Sequence, residues 1–175
     1  FTVEMRMEVG SRHNSMLPFA KRMLDRSGAD GISSKDLKIE WYKLGTDFAF
    51  AVRERLCSLI MTGLDENFEA SLKLARDLVE KPNISNETWD ETKSIIFSER
   101  DDEQKDTRAI SNALAHFHRY GKRSRYLERP RDSDIDASTV DSLGAILEEV
   151  LQTERTVLYY GPQSPDEVIE SVKKG

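Results

Sequence analysis

The stretch FTVEMRMEV, residues 1–9, alternates without a break: Phe1, Val3, Met5, Met7 and Val9 are apolar, and Thr2, Glu4, Arg6 and Glu8 are polar. A period of two suits a β-strand with one face buried and the other wet, because side chains on an α-helix repeat every 3.6 residues. A chain that opens this way needs a second layer to cover its apolar row. The remaining sequence offers helices for that layer.

Gly10 and Ser11 end the strand. In RHNSMLPFAKRMLDRSG, residues 12–28, Met16, Phe19, Met23 and Leu24 take the spacing of one helical face. Ser33 or Ser34 can cap a second helix, on which Leu37 and Trp41 share a face and which Gly45 stops. TDFAFAVRERLCSLIMTG, residues 46–63, reads as a hairpin. Phe48, Phe50 and Val52 alternate, Arg53-Glu54-Arg55 makes the turn, and the return run from Leu56 to Met61 is apolar except for Ser58. Apolar residues on both faces of that return strand predict a sheet covered by helices.

Helical signals follow. Asp65 is the expected cap of a helix with Phe68, Leu72, Ala75 and Val79 in a stripe that ends before Pro82. Ser85 precedes a helix carrying Trp89 and Ile96; Thr107 precedes one on which Ile110, Leu114 and Phe117 align and which Gly121 stops. Ser138 with Asp141 begins a helix bearing Leu143, Leu147 and Val150. RTVLYYG is a last strand, and Ser164, Pro165 and Glu167 spell the start of a last helix through a capping box. The order β-α-α-β-β-α-α-α-α-β-α predicts an α+β fold, a mostly antiparallel sheet packed with helices.

At 175 residues, the chain suits one domain spanning 1–175. Folding it would bury roughly 70% of its unfolded surface. Because Phe1 stands inside a strand, the expectation is a fragment of a longer multidomain chain, with any signal peptide out of view.

A balance of 26 Lys and Arg against 32 Asp and Glu gives a net charge of −6, which argues against nucleic acid as a general partner. No apolar run approaches the roughly 18 residues of a membrane span. Cys57, the one cysteine, excludes an internal disulfide and a multi-cysteine zinc site. There is no glycine-rich phosphate loop, dinucleotide fingerprint or Ser-His-Asp context. His116 and His118, two apart on a helix, point about 200° from each other and cannot jointly hold an ion, while His13 falls in a turn.

Residues 118–131, HRYGKRSRYLERPR, interleave Arg119, Lys122, Arg123, Arg125, Arg129 and Arg131 with Tyr120 and Tyr126. Single-stranded nucleic acid is held by such mixtures. Here the acidic DSDID that follows offsets the charge, and a solvated loop paired with carboxylates is the expectation. FSERDDEQKD, residues 97–106, lacks the glycine of a calcium loop and reads as a charged helix end.

The succession of FTVEMRMEVGSRHN and a helix, LKIEWYKLGTDFAFAV, LIMTGLDENFEASLKLARDLVEKP, WDETKSIIFSERDDE and RTVLYYGPQSPDEV resembles the repeat domain of the pitrilysin/insulinase-type zinc peptidases, from Val3 to about Val172. That superfamily includes the mitochondrial processing peptidase. GLDENFEASLKLARDLV and LYYGP are most similar to the large bacterial members that fuse two peptidase halves. In the family's active domains the first long helix carries H-x-x-E-H, two zinc-binding His and a general-base Glu. A Glu about 75 residues onward is the third ligand.

Superposing HxxEHML on PFAKRML puts Pro18 and Arg22 at the His positions and Lys21 at the Glu position; Glu99 falls near the third. Pro has no donor atom, and Lys and Arg present cations where a dication should sit. The resemblance therefore implies a vacated site, with no catalytic, metal or cofactor-binding residue in this domain and zinc in the partner catalytic half. An ordinary amphipathic helix with Phe19 and Met23 inward predicts the same. The Arg and Tyr that the family's second half contributes lie in an RE-x-x-GLAY-like stretch, which this chain does not contain.

The resemblance implies a non-catalytic domain of a zinc-dependent metalloendopeptidase. Such a domain forms part of a closed substrate chamber and pairs with the catalytic half. It offers extended peptide an edge strand, either the first strand or RTVLYYG. Its partners would be the catalytic and other repeat domains, of the same chain or a paired subunit, and extended peptide substrate; nucleic acid is not expected, nor a membrane span in this fragment. A periplasmic or secreted setting is implied over a cytoplasmic one. The alternative is an assembly scaffold that has lost any link to proteolysis.

Overall fold

The alternation at the start of the chain becomes β1 (Thr2–Met7) in a computed structural model that describes residues 1–174. Along with β1, the four-stranded sheet contains β3 (Asp47–Val52), β4 (Cys57–Thr62) and β6 (Arg155–Tyr160), in the order β3-β4-β1-β6 with every neighbour antiparallel. Met5 stands opposite Leu59 on one side and Val157 on the other; Val3 stands opposite Met61 and Tyr159. With Phe50 opposite Leu59, this register gathers one apolar face, and Val3, Met5, Met7, Phe50, Leu59 and Met61 are buried in it. The other face carries Thr2, Glu4, Arg6, Thr62 and Tyr160, with Glu4 accepting from Arg6 at 2.7 Å and from Ser58 at 2.8 Å. β1 is thus an interior strand paired on both sides. The expectation that it could offer a free edge is overturned, and the edges are β3 and β6.

The chain divides into two compact units, one made of Phe1–Ile84 and the chain from Val140 onward, the other of Ser85–Thr139. In the first unit α1 (Leu17–Leu24) starts through Pro18, whose missing N–H costs nothing in a first helical turn, and the Asn14 side chain accepts from the Met16 N–H at 2.9 Å. Leu17, Ala20, Met23 and Leu24 are buried, and α1 packs on α7 (Val140–Leu151), whose buried row is Leu143, Leu147 and Val150. Phe19, expected inward, is only half-buried. α2 (Ser34–Leu44) is capped by Ser33, which accepts from the Asp36 N–H at 3.1 Å, and closes on Gly45 at φ 57°. Trp41 stacks on Phe48, ring centroids 5.3 Å apart.

A turn of 3₁₀ helix at Asp65–Asn67 precedes α3 (Phe68–Glu80), so Asp65 does not cap α3 as its position suggested. Phe68 packs edge-on against Tyr159 at 5.4 Å, holding α3 over the apolar face of the sheet. Two-residue strands β2 (Gly28–Ala29) and β5 (Pro82–Asn83) form a separate small ladder, too short for any periodicity to announce. α8 (Pro165–Lys174) opens with the expected reciprocal cap: the Ser164 N–H donates to Glu167 at 2.8 Å and the Glu167 N–H to the Ser164 hydroxyl at 3.4 Å.

The second unit contains α4 (Asn86–Lys105), α5 (Thr107–Tyr120) and the short α6 (Asp132–Asp136). Ser85 caps α4 through the Thr88 N–H at 3.1 Å, whereas α5 is capped by Asp106 rather than Thr107, through the Arg108 N–H at 2.8 Å. Trp89 is buried with Ile96 and Ile135, and its indole N–H donates to the Ser138 carbonyl at 3.2 Å. Among the described residues no helix is long and apolar enough to cross a membrane.

Candidate functional site

Pro18, Lys21 and Arg22 come together on α1 because residues three and four apart adjoin on a helix surface. The buried row runs along Leu17, Ala20 and Leu24, so these three residues occupy the arc turned away from the α7 contact, each of them half-buried. Lys21 donates to Asp25 at 2.5 Å, an i,i+4 pair along the helix itself. The side chain that the resemblance to HxxEHML sets at the general-base position is thus an ammonium already engaged with an acid. Proline and a guanidinium offer no lone pair to a metal at the other two positions. Glu99 lies on α4 in the second unit and is exposed. Pro18, Lys21 and Arg22 do not supply the donor set that an H-x-x-E-H pattern gives to zinc. Among the described residues no group of three or more His, Cys, Asp or Glu is arranged to hold a metal.

His13 and His116 have local duties. His13 Nδ1 accepts from the Gly10 N–H at 3.1 Å and closes the turn from β1 to α1, a use that no sequence pattern marked. In the second unit His116 Nδ1 lies 3.0 Å from the hydroxyl of buried Ser124, and its ring lies 4.4 Å from that of Tyr120. His118 is exposed.

The basic loop and the acidic helix end meet within the second unit. Arg129 grips Glu103 with both terminal nitrogens, at 2.6 and 3.1 Å, while its guanidinium sits 4.7 Å from the centre of the Tyr126 ring. Arg100 pairs with Asp132 and donates to the Pro130 carbonyl at 3.0 Å. The hydrogen bond from Arg129 holds the Glu103 carboxyl below its ordinary range. Together these residues, with Ile110 and Ala113 of α5, line an open groove of about 430 Å³. The pairing accords with the loop expected to pair with carboxylates.

Apolar surface stays open on α5 and on β6. The stripe whose spacing aligned it on α5 is exposed at Ile110, Leu114 and Phe117, with Leu114 at 64%. β6 shows Val157, Leu158 and Tyr160, the last at 84% exposure, and its outer edge is paired with no strand among the described residues.

Comparison with solved structures shows the fold of the M16 peptidases. The chain superposes on the crystal structure of a peptidase M16 inactive domain from Pseudomonas fluorescens with a TM-score of 0.79 at 16% identity, over 99% of this chain and 44% of that one. It matches the ferredoxin protease FusC, solved as a point mutant in complex with Arabidopsis ferredoxin, at TM-score 0.83 and 13% identity, over 98% of this chain and 19% of that one. The periplasmic protease PqqL from Escherichia coli matches at TM-score 0.77 and 15% identity, again over 98% and 19%. The chain therefore spans between about a fifth and under a half of these chains. No protein-family model and no curated protein sequence matches it.

Proposed function

We propose that the chain is a non-catalytic domain of a zinc-dependent metalloendopeptidase, walling part of a closed substrate chamber and pairing with a catalytic half that holds the zinc. One feature supports the reading: in a fold shared with M16 peptidases, an inactive domain among them, the α1 segment PFAKRML resembles HxxEHML yet has Pro18, Lys21 and Arg22 where that motif has its ligands and base. The exposed stripe of Ile110, Leu114 and Phe117 supports docking against further domains, since so much open apolar surface on one helix is costly in water. The outer edge of β6 is the strand to which extended peptide would add, by backbone hydrogen bonding with side chains alternating between faces. A periplasmic or secreted setting is supported by the likeness to periplasmic PqqL.

Metal content and turnover test this directly. The purified chain, equilibrated with zinc and desalted, is expected to retain no stoichiometric metal and to leave an unstructured peptide intact. It is further expected to bind a purified chain of the same fold that carries H-x-x-E-H. One bound zinc with turnover that chelation abolishes would overturn the non-catalytic reading. Failure to associate with any such chain would favour an assembly scaffold.

A further inference from the structure

The apolar face of the sheet is left unfilled at one corner. In the first unit, a cavity of about 200 Å³ opens between β1 and β4 on one side and α3 on the other, beside the ends of α7 and α8. It is larger than the roughly 150 Å³ apolar void that suffices to take up a benzene molecule. Met5, Leu59 and Met61 form its floor, and Leu72, Ala75 and Val79 of α3 its roof, all buried. Two unbranched thioether side chains in the floor let it adapt to aliphatic shapes.

The mouth is charged. Arg76 and Glu80 stand one turn apart on α3, so opposite charges adjoin on that side. Arg155 on β6 and Lys173 on α8 also line the cavity and form no ion pair among the described residues. Arg155 lies opposite Met7 and in the same row of β6 as Val157 and Tyr159, the row turned toward the apolar side of the sheet. A cation therefore stands in an apolar row, at the rim of a hydrophobic cavity.

We propose that this cavity binds a carboxylate carried on an apolar group of roughly six to eight carbons, a size scaled from the benzene-binding void. The tail lies between the Met5 floor and the α3 roof, and the carboxylate meets Arg155 and Lys173. A free fatty acid and a peptide ending in a large apolar residue both carry this chemistry. The site is independent of the peptidase reading, because it uses no residue of α1.

Titration of the isotope-labelled chain, followed by amide NMR, tests it with four probes: octanoate, octanol, N-acetyl-Gly-Leu and the amide of that dipeptide. Octanoate is expected to give saturable shifts at Met5 and along Leu72–Val79. Octanol and the dipeptide amide should each bind about tenfold or more weakly than their carboxylates, the share of a charge-assisted hydrogen bond. Arg155→Gln, at an exposed position that leaves the core intact, is expected to weaken octanoate about tenfold and leave octanol unchanged. Ala75→Phe, which fills the cavity, should abolish both. Tighter binding of octanoate than of the dipeptide acid identifies free acids as the ligand, and the reverse order identifies peptide ends. The proposal fails if neither acid saturates, if octanol binds as tightly as octanoate, or if Arg155→Gln changes nothing.

Discussion

Leu17→Ala and Lys21→Ala, one turn apart on α1, are expected to differ in cost by nearly an order of magnitude. Leu17 is fully buried in the row with Ala20, Met23 and Leu24 that packs on α7. Truncating it removes the transfer energy of the lost methyl groups and leaves a void, together about 3 kcal/mol. Lys21 is half-buried, and it pairs with Asp25 along the helix. Such i,i+4 pairs contribute about 0.3–0.5 kcal/mol, and Ala recovers part of this through its helix propensity. Urea unfolding followed by circular dichroism at 222 nm reads the contrast. With a slope of about 2 kcal/mol per molar, Leu17→Ala should lower the midpoint by about 1.5 M and Lys21→Ala by less than about 0.3 M. On heating, the first corresponds to a loss of about 6–12 °C. If Lys21→Ala costs as much as Leu17→Ala, Lys21 is engaged in something beyond its own helix, and the account of its ammonium as serving only the pair along α1 is wrong.

Other perturbations test the packing and the charges. Trp89→Phe removes the indole donor to the buried Ser138 carbonyl and some volume, and should cost about 2 kcal/mol in urea unfolding; a loss under about 0.5 kcal/mol would show the indole is not anchored there. Glu103 is lowered chiefly by its hydrogen bond from Arg129, so this pair stabilises the fold above the unfolded carboxyl value of about 4.3. Its contribution is lost as pH falls through the lower native value. The stability gap between the wild type and Glu103→Gln, under about 1 kcal/mol for so exposed a pair, should therefore be full at pH 7 and close in acid; a gap that widens in acid would refute the pairing. Burial pushes the Cys57 thiol up to about 11, so an aromatic disulfide reagent at pH 8 should label urea-unfolded protein and spare the native form. Prompt stoichiometric labelling of the native form would contradict that burial.

Local features were legible in the sequence because their causes lie within a few residues of each other. The alternation of Thr2–Met7, the Arg53–Arg55 turn, and the Ser33, Ser85 and Ser164 caps each depend on neighbours at most four residues away. The errors mark where several local options compete. Asp65 can start either a 3₁₀ turn or an α-helix, and Asp106 displaced Thr107 as a cap by standing one residue earlier with a stronger acceptor.

The residue pattern by itself determined that this chain builds an antiparallel sheet with one apolar face and layers helices over it, because amphipathic periods of 2 and 3.6 leave little else to cover that face. Only the tertiary structure decided that β1 is central, since its two partners lie 50–60 and 148–158 residues onward and no local signal orders them. The same long-range register set Arg155 in an apolar row at the mouth of a cavity and left the α5 stripe open to water. Which surfaces stay uncovered depends on how distant segments meet, and that is a property of the assembled packing rather than of any one segment.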